Sequence, residues 1–218
     1  MPPRDSVLIL ANGELNDGIA VRAACREAAF VIAADGGARL AAPLGLTPGL
    51  LIGDMDSIAP DLLETLRAAG VEIQRYPPEK DETDLELALH EAIQRDAQRI
   101  IVIGAYGGRI DQSLANIYLL NLAVLQGRDV RLVSGAQTAR VFSAGEHTIP
   151  GARGDTVSLI PLGGDVTGAR TWGLQYPLAG ETLEFGPARG ISNVISDDRA
   201  GIFFESGRLL VVHTQGRA

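Results

Sequence analysis

Short, nearly all-apolar runs recur through the first half of the chain, separated by stretches with helical patterning. They are Val7-Leu8-Ile9-Leu10, Phe30-Val31-Ile32-Ala33-Ala34, Leu50-Leu51-Ile52 and Ile100-Ile101-Val102-Ile103. A strand with no polar alternation must be buried on both faces, which is the condition of a parallel sheet covered by helices on each side. The intervening segments fit that scheme. Residues 18–29 and 60–69 read as helices, the second with Pro60 in its first turn, and residues 38–42 as a short helix. Leu85, Ala88, Leu89, Ala92 and Ile93 form an apolar stripe at helical spacing, and residues 111–126 read as a further helix. Val71-Glu72-Ile73 is a weaker strand. The expectation for residues 1–130 is a doubly wound, mostly parallel, Rossmann-like α/β domain.

After Gly127 the helical stripes stop. Short β-rich pieces follow at 129–133, 156–160, 182–185, 202–205 and 209–213, divided by glycine and proline turns, as in a sandwich or small barrel. Residues 131–218 are therefore expected to form a C-terminal β-sandwich. The boundary falls within 127–140, because residues 130–133 can still pair with the first sheet.

Composition excludes several function classes. A net charge of −8 argues against a nucleic-acid surface, which needs a basic stripe. No apolar run approaches the roughly 20 residues that span a bilayer, and the apolar stretch near the N-terminus is too short for a signal peptide. Cys25 is the one cysteine, so no internal disulfide can form, which fits a reducing compartment. Its place in a helical segment suits a core position better than a nucleophile. His90, His147 and His213 share no ligand spacing. A cytoplasmic protein with neither membrane nor nucleic-acid partners is expected.

The polar clusters carry the chemistry. Asn12-Gly13, Asp35-Gly36-Gly37, Gly53-Asp54-Met55-Asp56-Ser57, Lys80 to Asp84 and Gly104 to Asp111 each follow an expected strand. Ligands of open parallel sheets bind beyond the carboxyl ends of the strands, so five clusters on one edge form one site. In extended backbone Asp54 and Asp56 would point to one side, and two such anions require a cation. An all-oxygen set without His or Cys suits Mg²⁺. Thr83-Asp84-Leu85-Glu86 fits a capping box, with Asp84 where the helix dipole favours an anion. Capping accounts for Thr83, Asp84 and Glu86 but not for Asp54, Asp56 or Asp81. In Gly104 to Gln112, glycines allow close backbone approach, the helix N-terminus can hold an anion and Arg109 can grip phosphate, although a plain tight turn explains the same residues. Neither a P-loop nor a G-x-G-x-x-G follows the first strand. In the β-rich half Trp172 and Tyr176 offer flat faces, for which core packing is the default.

Taken together these motifs resemble the thiamine pyrophosphokinase family. The resemblance runs through Ala34-Asp35-Gly36-Gly37-Ala38, Gly53 to Ser57, Lys80-Asp81-Glu82-Thr83-Asp84, Gly108-Arg109-Ile110-Asp111-Gln112, Gly173-Leu174-Gln175-Tyr176-Pro177-Leu178 and Ser192-Asn193. It implies transfer of the pyrophosphoryl group of ATP to the hydroxyl of thiamine, giving thiamine diphosphate and AMP. It also implies a homodimer with active sites at the interface. By the same resemblance Asp54, Asp56 and Asp84 bind Mg²⁺. Lys80 and Thr83 contact the ATP phosphates. Asp35, Gly36, Arg109, Asp111 and Gln112 lie on the nucleotide side, with Asp111 a candidate proton acceptor. Tyr176 packs on thiamine, with Ser192 and Asn193 near the pyrimidine. Two positions depart from the family pattern: Glu79 stands where the acidic motif often has Asp, and Gln175 stands where Lys is common. A pyrophosphokinase acting on a pterin alcohol and a non-catalytic thiamine or nucleotide sensor are the competing readings.

Overall fold

The structure, a computed structural model, describes residues 5–122 and 125–217. It divides into two compact units, Met1–Gly135 and Ala136–Ala218.

The first unit carries β1 (Ser6–Leu10), α1 (Ile19–Glu27), β2 (Phe30–Ala34), β3 (Leu50–Gly53), α2 (Pro60–Ala68), β4 (Glu72–Arg75), α3 (Asp84–Gln94), β5 (Arg99–Ile103), α4 (Ile110–Leu119) and β6 (Asp129–Ser134). The strands lie in the order β6-β5-β1-β2-β3-β4, and each neighbouring pair is parallel. Every residue of β1 is buried, as its unbroken apolar run requires. Leu8, Leu10, Ile101, Ile103 and Val133 pack with Ala20, Val21 and Ala24 of α1. Ala33 and Leu51 pack with Leu66 of α2 and with Met55 and Ile58.

Two helix boundaries differ from expectation, and the end of the first sheet falls within its expected range. The short helix at 38–42 is a 3-10 turn that begins earlier, at Asp35–Leu40. The helix expected over 111–126 ends at Leu119, and its part at 123–124 lies outside the described residues. β6 pairs with β5, so the first sheet runs to Ser134, within the 127–140 range expected for the boundary.

The strand order fixes where a ligand can sit. From β1 the chain lays β2, β3 and β4 to one side, then crosses back to place β5 and β6 on the other. The direction of winding therefore reverses between β1 and β5, and a crevice forms beyond their carboxyl ends. The two loops that leave this point stay bonded to each other. Ala11 N–H donates to Ile103 O (2.8 Å), Gly13 N–H to Gly104 O (2.7 Å) and Glu14 N–H to Tyr106 O (2.6 Å). Gly104 permits this closeness: its φ is +74°, and a Cβ there would lie 2.4 Å from Ala11 O.

The second unit holds β7 (Gln137–Ile149), β8 (Thr156–Pro161), β9 (Val166–Trp172), β10 (Ala179–Leu183), β11 (Asn193–Val194) and β12 (Ala200–Thr214). β7 and β12 pair along almost their whole length, with one irregularity between Phe204 and Arg208. On one side of it β12 also pairs with β9, and on the other with β8. β10 extends β9 and β11 extends β8. Both arms supply one core, in which Val166, Ala169 and Leu183 meet Val157, Leu159, Phe204 and Val211.

The pieces expected at 202–205 and 209–213 are thus one strand, bent where Gly207 has a φ of +106°. The piece expected at 182–185 lies earlier, at Ala179–Leu183. β7 and β9 escaped notice because both are mostly half-buried or exposed and show no apolar run. Among the described residues no helix is long and apolar enough to cross a membrane.

Candidate active site

Three strand or helix ends of the first unit bring carboxylates together. β2 ends at Ala34, and Asp35 opens the following turn with φ +45° and 2% exposure. Asp35 Oδ2 accepts from Ser57 N–H (3.2 Å), whereas Oδ1 is buried and has no hydrogen-bond partner among the described residues. Burial pushes this carboxyl above the usual range, and the nearby Asp84 charge adds to the effect. β3 ends at Gly53, and Asp54 follows it. Asp84 sits in the first turn of α3, whose N-cap is Thr83; Thr83 Oγ1 accepts from Glu86 N–H (3.2 Å), the cap foreseen from the sequence. Gly53 makes the convergence possible, since a Cβ there would lie 2.9 Å from Asp35 Cβ and 3.0 Å from Asp84 Oδ1.

Carboxylate oxygens of Asp35, Asp54 and Asp84 all lie within 4.8 Å of one another. The third member of this trio is Asp35, and Asp56 is outside it. The same-side argument for Asp54 and Asp56 requires extended backbone, but the strand stops at Gly53 and Met55 has φ +68°. The chain instead turns, so that Asp56 N–H donates to Asp54 Oδ1 (3.1 Å) and Asp56 Oδ1 accepts from Ser57 Oγ (2.7 Å).

Lys80, the only lysine of the chain, reaches the same place. Its Nζ lies 3.0 Å from Asp84 Oδ1 and 3.5 Å from Asp54 Oδ2, with its side chain 9% exposed. Burial alone would lower the ammonium pKa, but bonding to Asp84 and Asp54 outweighs it and holds the pKa above the ordinary value. Asp54 is held below the usual carboxylate range by the Asp56 N–H and by Lys80.

A cavity of about 540 Å³ opens at the switch point beside the trio. Of the residues singled out from the sequence, Asp35, Lys80, Thr83, Asp84, Arg109 and Gln112 line it; Gly36, Asp54, Asp56 and Asp111 do not. Gly36 lies behind the wall. The Arg39 guanidinium donates to the carbonyls of Gly36 (3.4 Å), Asn12 (3.2 Å) and Gly13 (2.8 Å), which ties together the loops after β1 and β2. Arg109 and Asp111 are exposed and ion-paired, and the guanidinium keeps the Asp111 carboxyl below its usual range.

Tyr106, within the Gly104 to Gln112 cluster, also lines the cavity, as do Glu14, Arg39 and Asn116, which were not singled out from the sequence. Burial pushes the Tyr106 phenol up to about 12. Asn116 is buried, and its Nδ2 donates to Ala105 O (2.7 Å). Its position, one helical turn beyond Gln112 on α4, is the sequence signal that could have found it.

In the second unit Tyr176 is 63% exposed, contrary to the core default for such aromatics, and Trp172 is 37% exposed with its ring over Gly201. Tyr176 edges a small cavity of about 140 Å³ with Leu159, Pro177, Arg189 and Ile191. Ser192 has φ +58°, and its N–H donates to Ser158 Oγ (3.1 Å). Asn193 is buried and bonded to backbone on both sides. Cys25 is half-buried against the α1 core, and burial raises its thiol pKa.

A parallel sheet with carboxylates and a buried lysine gathered beside its switch-point cavity is the arrangement of an α/β phosphate-handling site. Comparison with known proteins narrows this class. Residues 21–132 match the family model for the thiamin pyrophosphokinase catalytic domain, and residues 146–209 match that for the thiamin pyrophosphokinase vitamin B1 binding domain. The chain is 31% identical over 171 residues to a thiamine pyrophosphokinase of Bacillus subtilis, a match covering 78% of this chain and 80% of that one. The crystal structure of the Bacillus subtilis thiamine pyrophosphokinase superposes with a TM-score of 0.86 at 28% identity, over 96% of this chain and 99% of that one. A thiamin pyrophosphokinase family protein from Enterococcus faecalis gives 0.84 at 26%, over 97% and 100%. The chain belongs to the thiamin pyrophosphokinase family.

Proposed function

We infer that the chain transfers the β,γ-pyrophosphoryl group of ATP to the hydroxyl of thiamine, giving thiamine diphosphate and AMP. The observation that carries this reading at the site is the meeting of Asp35, Asp54, Asp84 and Lys80 beside a cavity at the switch point. Enzymes of this family typically use a divalent metal, and we propose Mg²⁺. The donor set fits: all three groups are carboxylates, and Asp35 Oδ1 is a buried acceptor with no protein partner. Asp35, Asp54 and Asp84 are the residues we assign to hold it. When bound, the ion would neutralise charge on the phosphate oxygens.

The rest of the work falls to the chain itself. Attack by the thiamine hydroxyl on the β-phosphorus passes through a loose transition state, so positioning and charge neutralisation matter more than base strength. Lys80 stands where its ammonium can pass from carboxylate to phosphate oxygens. Arg109 at the start of α4 adds a second cation next to a helix N-terminus. Thr83 and Gln112 offer polar contacts on the cavity wall. Asp111 is engaged by Arg109, and we assign it no proton-acceptor role.

Thiamine is a flat cation, and the exposed face of Tyr176 suits it, with Asn193 bonded to the Tyr176 backbone and Ser192 next to it in the chain. We further propose a homodimer in which the carboxylates of one protomer serve the Tyr176 surface of its partner. Light scattering at micromolar concentration should then give a mass near 46 kDa, twice the 23.0 kDa chain. A 23 kDa particle would end the shared-site reading.

Product analysis tests the activity. Incubation with ATP and Mg²⁺ plus either thiamine or a pterin alcohol, followed by mass spectrometry, should yield thiamine diphosphate and AMP from the thiamine reaction alone. Pyrophosphorylation of the pterin alcohol, release of ADP in place of AMP, or no turnover with bound thiamine would each favour a competing reading.

A further inference from the structure

A buried carboxamide holds both backbone polar groups of the residue placed against thiamine. Asn193 begins β11 and is 7% exposed. Its Oδ1 accepts from Tyr176 N–H (3.0 Å) and from Val194 N–H (2.9 Å), and its Nδ2 donates to Tyr176 O (2.7 Å). An asparagine side chain offers two acceptor sites and two donor hydrogens. Three of these four are committed to backbone, which leaves one N–H for anything else.

We propose that Asn193 is a positioning residue that sets affinity for the flat cationic substrate through Tyr176. The inference rests on the siting of thiamine at Tyr176.

The loop geometry supports an action at a distance. Tyr176 is 63% exposed at the edge of the small cavity, and among the described residues its hydroxyl has a hydrogen bond from Gln175 Nε2 at 3.4 Å. The direction of its Cα–Cβ bond, from which the ring projects, is set by the backbone. Gln175 N–H donates to Val194 O (2.8 Å), and Leu178 N–H donates to Thr171 Oγ1 (2.8 Å), so the loop is anchored before and after the tyrosine. At Tyr176 itself both the N–H and the C=O go to one side chain, that of Asn193. Holding both groups restricts rotation on each side of the Cα and presents the ring in one direction before the substrate arrives. Such preorganisation improves affinity without a direct contact. Ser192, next in line, keeps a left-handed φ of +58°, backbone strain of the kind retained where a neighbouring side chain must be aimed.

A double-mutant cycle on KM for thiamine, with KM for ATP measured on the same preparations, tests this. Tyr176→Ala should raise thiamine KM by about 3- to 30-fold. Asn193→Ala should raise it by a comparable factor in the wild-type background, yet by less than about 2-fold when Tyr176 is already alanine. ATP KM should stay within about 2-fold throughout, which separates positioning from general loosening of the fold. Asn193→Asp keeps both acceptor contacts but sets an oxygen against the Tyr176 carbonyl. It should give an intermediate rise, and it serves as the second arm if the alanine variant does not fold. Multiplying effects of Asn193→Ala and Tyr176→Ala, or an unchanged thiamine KM in Asn193→Asp, would overturn the proposal. An unchanged thiamine KM in Tyr176→Ala would overturn the siting of thiamine itself, and the inference with it.

Discussion

Asp54→Asn is expected to lower kcat by about 10²- to 10³-fold while leaving the fold intact, the loss typical when one preorganised charge-handling group is removed. Asp54 sits one residue past the end of β3, with a carboxylate oxygen within 4.8 Å of those of Asp35 and Asp84 and 3.5 Å from the Lys80 ammonium. Asparagine preserves shape and one oxygen, so what disappears is charge. KM for thiamine should change little, because Tyr176 and Asn193 belong to the other unit. Stability should drift downward slightly. The folded protein holds this carboxyl below its ordinary pKa, chiefly through the Asp56 N–H and also through Lys80. The ionised form therefore stabilises the fold above the unfolded pKa near 3.9, and that contribution fades as pH falls through the lower folded value. Asparagine gives it up at neutral pH. Steady-state kinetics at saturating Mg²⁺ and a melting curve check both halves. A wild-type kcat would remove Asp54 from the metal-holding set.

The sequence reveals most of the first unit because its strands are buried on both faces. Each of the strong β1, β2, β3 and β5 runs lies where the apolar residues place it, since no polar alternation competes with that reading. The second unit is less legible for the opposite reason. β7 is 13 residues long, yet its half-buried positions mix with exposed Ser143, Ala144, Glu146 and Thr148 and leave no run to notice. β12 reads as two strands because its bend at Gly207 looks like a turn between hairpin arms. At the site, Thr83 and Asp84 follow from the capping pattern, a local rule that tertiary structure leaves undisturbed. That Asp35, not Asp56, lies within 4.8 Å of Asp54 and Asp84 does not, because it depends on a left-handed residue at Met55 and on the approach of β2 to α3, neither of which spacing encodes. Arg39 is invisible for a similar reason, since it acts where two loops distant in sequence lie side by side.

Asp35→Asn should separate stability from activity: a rise in melting temperature of roughly 2–4 °C for each kcal/mol recovered in a chain of this size, together with a fall in kcat of about 10²-fold or more. Asp35 is 2% exposed, and burial is the main force raising its pKa; hydrogen bonds from Gly36 and Ser57 oppose it, and the Asp84 charge adds to it. A raised folded pKa means that the folded protein favours the neutral acid. The penalty is absent below the unfolded pKa near 3.9 and appears as pH rises from there through the folded value, so at neutral pH the ionised group works against folding. Asparagine is neutral at every pH. Its oxygen can keep the Ser57 N–H bond, and its amide replaces the unpartnered Oδ1 with a donor facing the Asp84 carboxylate. On the folding side the Ser57 N–H bond is kept and a buried charge is relieved. On the chemical side one of three ligand charges is gone, so the affinity of the free protein for Mn²⁺, read by the spin resonance of the ion, should also fall. Proteins commonly keep such local strain where activity depends on it. A variant that melts lower than wild type and retains kcat would instead make Asp35 a structural acid, and would return the third place in the metal set to Asp56.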